Sequence, residues 1–395
     1  MRMSRLHFMK NLVARFCPVG NLHVIDPQVD LKHIFANPAL LQRDLAAREL
    51  NIDASKVQTA YEEWWKLYEQ FNRLEQKDAK TAAYEAKKEM KLSYEGLLDA
   101  LALPNKLSNE TLKQRSIKKD PLGYHSNHFR YLAKQGLLST NRTTETVNLI
   151  GYLPLMLKAI RKAVIDLFSE MIPISPPHLV RAALLEGCNV DLAAYSQFNE
   201  GKNTSDSKDS SFLVGHSLTT TLAPFIRTVF SKHTNCWPIC LHSSGMAYFA
   251  KSNRLDLISC RQREQYVQLV MGTSKEEVQT RLMETVKTIE RFLRHDLQLQ
   301  IYRRNLSAPE LMLSESSGVV VEDDDVQLIR SSFYGEYVSR RLNLQFTDGF
   351  LQLGFVTVDL YRVLAKIIDA TIVGNDLPPI LRSTIKKSRE STKNF

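Results

Sequence analysis

The chain has 395 residues, 44% of them hydrophobic and 24% charged, which is length for two or three domains and apolar material for a large core. No run approaches the ~18 apolar residues that cross a bilayer, and five cysteines without a CxxC pair or a paired His/Cys spacing argue against a zinc site or a disulfide framework. The net charge of +9 favours an anionic partner, nucleic acid or a membrane surface, without choosing between them.

Residues 1–25 hold Arg2, Arg5, Lys10 and Arg15 and no acid, with Leu6, Met9, Val13 and Phe16 on one helical face. An amphipathic, arginine-rich, acid-free start has the composition of a mitochondrial transit peptide. The protein is therefore expected in the mitochondrial matrix, with its folded part starting near residue 22.

Residues 26–103 read as a helical start followed by an arm. The pattern from Val29 to Leu50 is helical, and Asp53 or Ser55 then caps a new helix. In it Val57, Tyr61, Trp64, Tyr68 and Phe71 recur at alternating spacings of four and three, a heptad seam. The seam lapses at 76–81, resumes with Met90, Tyr94, Leu97 and Leu101, and stops at Pro104. Two helices of about 24 residues predict an antiparallel coiled-coil hairpin about 36 Å long. Its second helix carries Lys80, Lys87, Lys88 and Lys91, candidates to lie along a nucleic-acid backbone, though a solvated face explains such charge as well.

Residues 104–150, rich in Asn, Ser, Thr and Lys, read as a linker. An amphipathic helix follows at 152–170, and Pro173, Pro176 and Pro177 force an extended run behind it. A polar loop at 200–211 precedes strand-like segments at 212–215, 237–242 and 264–271, a helix at 274–297 and an acidic loop, Glu322–Asp325. Together these predict an α+β domain over 151–395, an antiparallel sheet flanked by helices. Near its end, the first half of Ser331–Asp369 alternates like a strand after the paired Arg340 and Arg341. The second half then turns helical, with Val358, Tyr361, Leu364, Ala365 and Ile368 on one face. Arg362 falls in the first turn of that helix, where the partial positive charge of the helix end disfavours a cation. It needs an anion there, phosphate or carboxylate.

The nucleotide-loop, nucleophile-elbow, zincin and EF-hand signatures are missing, and the ten histidines are scattered. A charged surface loop accounts for Asp323–Asp325 better than a metal site does. Neither metal nor cofactor is expected. His242, Ser243 and Ser244 have no acidic neighbour in sequence to suggest a nucleophile.

The order of these pieces resembles seryl-tRNA synthetase, a class II aminoacyl-tRNA synthetase. The resemblance runs over residues 29–385: a helical start, a hairpin ending in Pro104–Asn105, and a helix with a Pro-Pro element. Phe168–Arg181 is similar to that family's motif 1, which makes Pro173, Pro176, Pro177 and Arg181 candidates for a dimer interface. Arg340-Arg341-Leu342-Asn343 looks like its RRLN strand. Arg362–Asp369 looks like motif 3, whose arginine contacts ATP.

The departures from the family pattern bear on function. His216 and Leu218 stand where the family's Thr-x-Glu binds the serine amine. His242 and Ser244 stand where motif 2 has Arg and Glu, and Gln262-Arg263-Glu264-Gln265-Tyr266 stands where it has Arg-x-His-Gln-Phe. Gly354-Phe355-Val356-Thr357 replaces the small residues before motif 3. A buried leucine cannot bind an ammonium group as a carboxylate does, and preorganised phosphate contacts supply much of such catalysis. The resemblance therefore implies a catalytically silent paralogue, closest to an insect mitochondrial group of seryl-tRNA synthetase-like proteins. In it Arg340, Arg341 and Arg362 are vestigial. The implied partners are the active mitochondrial seryl-tRNA synthetase, as a heterodimer, and mitochondrial tRNA-Ser or another nucleic acid. A regulatory nucleic-acid-binding role in mitochondrial DNA or protein homeostasis, and an active serine-tRNA ligase, are the competing readings.

Overall fold

The computed structural model describes residues 9–16, 25, 27–77, 79–114, 127–198, 210–233, 236–250 and 255–392. Two short helices, α1 (Leu31–Phe35) and α2 (Pro38–Ala47), lead into α3 (Ala54–Gln76), α4 (Lys80–Leu92) and α5 (Glu95–Ala102). Asp53 caps α3 by accepting from the Ser55 and Lys56 amides. The predicted seam is the packed one: Val57, Tyr61 and Trp64 are buried opposite Met90, Leu97 and Leu101, with Tyr68 and Phe71 half-buried.

The stretch expected to be a linker is structured where it is described. It forms α6 (Asn109–Lys113), α7 (Asn127–Lys134) and a hairpin of β1 (Leu138–Asn141) and β2 (Thr146–Leu149). Its elements are too short to show periodicity, yet Leu107, Leu132, Leu138 and Val147 are all buried. The Pro104–Asn105 step anchors the chain to the body. The Asn105 amide side chain donates to the carbonyls of Ser314 and Tyr334, and its backbone N–H donates to Leu313.

The body continues with α8 (Leu153–Asp166), β3 (Ile172–Pro173), β4 (Leu179–Arg181), α9 (Ala182–Gly187), β5 (Ser196–Phe198), β6 (Ser211–Leu213), α10 (Leu218–Leu222) and β7 (Val229–Phe230). Then come β8 (Ile239–Tyr248), β9 (Gln262–Gly272), α11 (Lys275–Arg291), β10 (Tyr302–Asn305), β11 (Ser317–Asp323), β12 (Val326–Gly335) and α12 (Tyr337–Leu342). The chain closes with β13 (Gln345–Phe346), β14 (Gly349–Phe350), β15 (Gln352–Asp359), α13 (Leu360–Ile372) and α14 (Pro379–Thr392).

Seven strands form the main sheet in the order β10-β11-β12-β15-β9-β8-β3, antiparallel except for the β3–β8 pair. The two faces of that sheet have different cores. Tyr266, Val270, Val356 and Val358 pack with α8, α11 and α13. Leu241, Val267, Leu269, Leu353 and Phe355 pack with α9, α10, α12 and the base of the arm. Because side chains alternate along a strand, neighbouring residues of β8, β9 and β15 belong to opposite cores.

Three further expectations differ from the structure. Arg340 and Arg341 lie in the last turn of a helix, not on a strand. Glu336 pairs with Arg340 one turn on, and Asn343 ends the helix in the left-handed conformation at φ 57°. Val358 belongs to β15, and the helix after it starts at Leu360 with Asp359 as its cap. The folded part also begins upstream of residue 22: Met9, Leu12 and Val13 are buried in the same core as the arm base. The polar loop at 200–211 lies mostly outside the described residues.

Candidate functional site

The sheet face under α10 carries His216 and Leu218, two of the positions singled out in the sequence. Ser217 caps α10 reciprocally with Thr220, and the short helix turns Leu218 and Leu222 down into the core. Leu218 is 8% exposed, so the position compared with the amine-binding glutamate is a packing residue here. His216 lies flat against the sheet. A Cβ built on Gly245 would stand 2.2 Å from its Cε1, so only glycine leaves room for the ring. The imidazole Nδ1 sits 3.3 Å from the Met246 carbonyl, His178 packs edge-on at 5.3 Å, and the Gln265 side-chain amide donates to the His216 carbonyl. Burial pushes the His216 ring's pKa down, against the opposing pull of the Met246 carbonyl.

This contact makes a test. Gly245→Ala is expected to destabilise the protein by about 1–3 kcal/mol through overpacking, and His216→Ala in the same chain to recover most of the loss. Chemical denaturation of the two variants checks it.

His242 and Ser244 lie on the other face. The His242 ring is 5.9 Å from that of Tyr266, which in turn stacks on Phe168 at 5.7 Å. Burial lowers the His242 pKa, with the Glu170 charge pulling the other way. Glu264, two residues before Tyr266, pairs with Arg161 of α8 at 2.8 Å. The residues of β8 and β9 on the α10 side are Leu241, Ser243, Gly245, Arg263 and Gln265. A one-residue register difference is enough to exchange one set for the other.

Arg263, noted in the sequence only within the 262–266 departure from motif 2, is the centre of a buried cluster. Its guanidinium pairs with Asp359 at 2.7 Å, donates to the Cys260 carbonyl at 2.6 Å and lies over the Phe249 ring at 3.8 Å. No spacing rule links 263 to 359. Only the β9–β15 pairing does, with Gln265 opposite Asp359.

The arginines singled out in the sequence are also engaged within the chain. Arg362 donates to the carbonyls of Ile258 and Gln327 and sits 3.3 Å from Asp359, so the anion it needs is a carboxylate of its own chain. Burial lowers the pKa of Arg362, opposed by Asp359. Arg341 is 2% exposed; it donates to the Tyr337 and Leu101 carbonyls and lies 3.4 Å over the Tyr337 ring. Leu101 is in the last turn of α5, where a cation complements the helix dipole. Arg341 thus ties the arm to the body. Burial lowers its pKa too, with Tyr337 opposing. Arg340 pairs with Glu336 at 2.6 Å and covers Phe350 at 4.5 Å.

The remaining candidates are on surfaces. Lys80, Lys87 and Lys88 are exposed on α4 and Lys91 is half-buried; the Lys87 ammonium lies 5.5 Å over Phe71 of α3. Pro173, Pro177 and Arg181 are exposed and Pro176 is buried. Beside the short β3 strand, a groove of about 1110 Å³ is floored by Ile172, Pro173, Ile239 and Met271 and rimmed by Glu276 and Glu284. Among the described residues no group of three His, Cys, Asp or Glu side chains is placed to hold a metal ion. No described helix is long and apolar enough to cross a membrane.

No protein-family model matches the sequence, and no curated protein sequence matches it. Solved structures do match. The cytoplasmic serine-tRNA ligase of Naegleria fowleri, in complex with AMP, superposes with a TM-score of 0.69 at 16% identity, over 89% of this chain and 94% of that one. Seryl-tRNA synthetase of Pyrococcus horikoshii, complexed with ATP, gives 0.70 at 15% identity, over 91% and 98%. Prolyl-tRNA synthetase of Giardia lamblia, in complex with prolyl-adenylate, gives 0.57 at 15% identity, over 64% and 54%. The chain therefore has the fold of seryl-tRNA synthetases, an antiparallel sheet domain with an N-terminal helical arm.

Proposed function

We propose that this protein is a non-catalytic member of the seryl-tRNA synthetase fold. In this reading it acts in the mitochondrial matrix as the partner subunit of the active synthetase, supports mitochondrial translation and binds tRNA. The observation that carries the reading is how the substrate-facing side is occupied. His216 rests on Gly245, Leu218 is in the core, and Arg263 and Arg362 converge on Asp359. Groups that bind ATP and serine need free donors and carboxylates aimed into open space. Here the donors are held by carbonyls and by one internal carboxylate.

The partner role draws on a second feature. The β3 edge lies in the motif 1-like segment, with Ile172 56% exposed and Leu179 47% exposed, and the apolar groove beside it is shared with Phe230, Ile239 and Met271. An edge of this kind is suited to a second chain.

Purified protein is expected to give no serine-dependent ATP–pyrophosphate exchange, and to co-purify from mitochondria with the active synthetase. Exchange by the isolated chain would establish the active ligase instead. Recovery only as a homodimer would remove the partner role. The exposed lysines of α4 favour nucleic-acid binding, which is expected to weaken steeply with salt. Salt-dependent binding without any associated synthetase would favour the regulatory reading.

A further inference from the structure

The segment Met9–Phe16 does more than precede the fold. Met9 and Leu12 are 0% exposed and Val13 1%. Phe16 packs edge-on against Trp64 at 5.6 Å and Tyr68 at 5.5 Å, both on α3. Lys10 reaches over Tyr94 at 6.0 Å, at the junction of α4 and α5. On the body side, the segment meets Glu186 of α9. The Leu12 N–H donates to its Oε2 at 2.6 Å and the Asn11 amide to its Oε1 at 2.8 Å. Glu186 is 0% exposed, and burial pushes its carboxyl up to about 7 despite these two bonds. The neighbouring Gly187 makes room for Leu342 of α12: a Cβ there would stand 2.3 Å from that side chain, whereas Leu12 at 3.7 Å would be in ordinary contact.

A carboxylate sealed from water needs donors, and this segment supplies two of them. The same eight residues fill the apolar gap between the arm and the body. We infer that the cleft around Glu186 is a built receptor for Met9–Phe16, and that the segment stays in the mature protein as a wedge fixing the arm. Any processing of the leader then has to stop upstream of Met9. The inference is independent of the catalytic state proposed above.

The test uses the full chain with a protease site placed at residues 18–22, cleaved after folding. The released N-terminal peptide is expected to co-elute with the body on size exclusion. Once stripped off, a synthetic peptide of residues 1–17 is expected to rebind, and the Leu12→Asp peptide to bind at least tenfold more weakly. Hydrogen exchange at α9 and at the Trp64 turn is expected to speed up in the stripped protein and slow again on rebinding. Immediate loss of the peptide with unchanged exchange would overturn the wedge. Glu186→Ala is expected to release the peptide; because that variant risks misfolding, the Leu12→Asp peptide, which leaves the body intact, decides the matter. N-terminal mass measurement on the protein from cells separates the processing question. A chain beginning after Phe16 would overturn retention, whereas one beginning at or before Met9 supports it.

Discussion

Glu315→Ala is expected to cost about 3–5 kcal/mol of stability, the penalty for leaving one partner of a buried ion pair alone. Glu315 is 0% exposed and holds Arg330 through both carboxylate oxygens. It also accepts from the Ser332 hydroxyl and from the Met312 N–H at 2.8 Å. Removing it strands the Arg330 guanidinium in a desolvated strand and frees the 312–316 loop. Arg48 of the N-terminal helical region is bonded to that loop at the Met312 and Glu315 carbonyls, so the damage should spread to the arm base. The double variant Glu315→Leu, Arg330→Met is expected to recover part of the stability, since an apolar pair avoids the desolvation of both charges while the Ser332 hydroxyl and the Met312 N–H stay unpaired. Urea denaturation of the two variants measures this, and equal loss in both would refute the pairing argument.

Gly96→Ala is expected to destabilise the chain by about 2 kcal/mol, although alanine is the better helix former. A Cβ at 96 would lie 2.2 Å from the Ala60 carbonyl oxygen and 2.6 Å from its carbon. The obstacle is main chain and cannot rotate away, which puts the overpacking cost near 3 kcal/mol. Against it stands a gain of about 1 kcal/mol in helix propensity. The expected signature is retained helical content with faster hydrogen exchange in α3 and α5. An increase in stability would show that the two helices separate freely at this point.

Much of the architecture was legible from composition and period. The arm was readable because large apolar side chains at heptad spacing can satisfy themselves only against a second helix, and Val57, Tyr61 and Trp64 do so. In the sheet domain the expected segments at 212–215, 237–242 and 264–271 overlap β6, β8 and β9 and the one at 274–297 contains α11, whereas β10 and β11 have no counterpart in the sequence pattern. The β1–β2 hairpin was not readable, because its four-residue strands carry one buried side chain each. The helix that holds Arg340 and Arg341 has no signature in the sequence, because six residues are too few to set a period.

The candidate site was legible in chemistry but not in geometry. The sequence by itself determined which residue types are present: a histidine and a leucine around α10, and an arginine at the start of α13 that requires an anion. It also placed basic residues on one arm helix and an amphipathic segment at the N-terminus. Only the tertiary structure decided which partners they meet. Asp359 answers Arg362 and Arg263 together, His242 faces α8 instead of α10, and Met9–Phe16 fills a cleft around Glu186. The physical reason is common to all three. Strand parity and long-range pairing set which charges are desolvated together, and neither is written in local sequence.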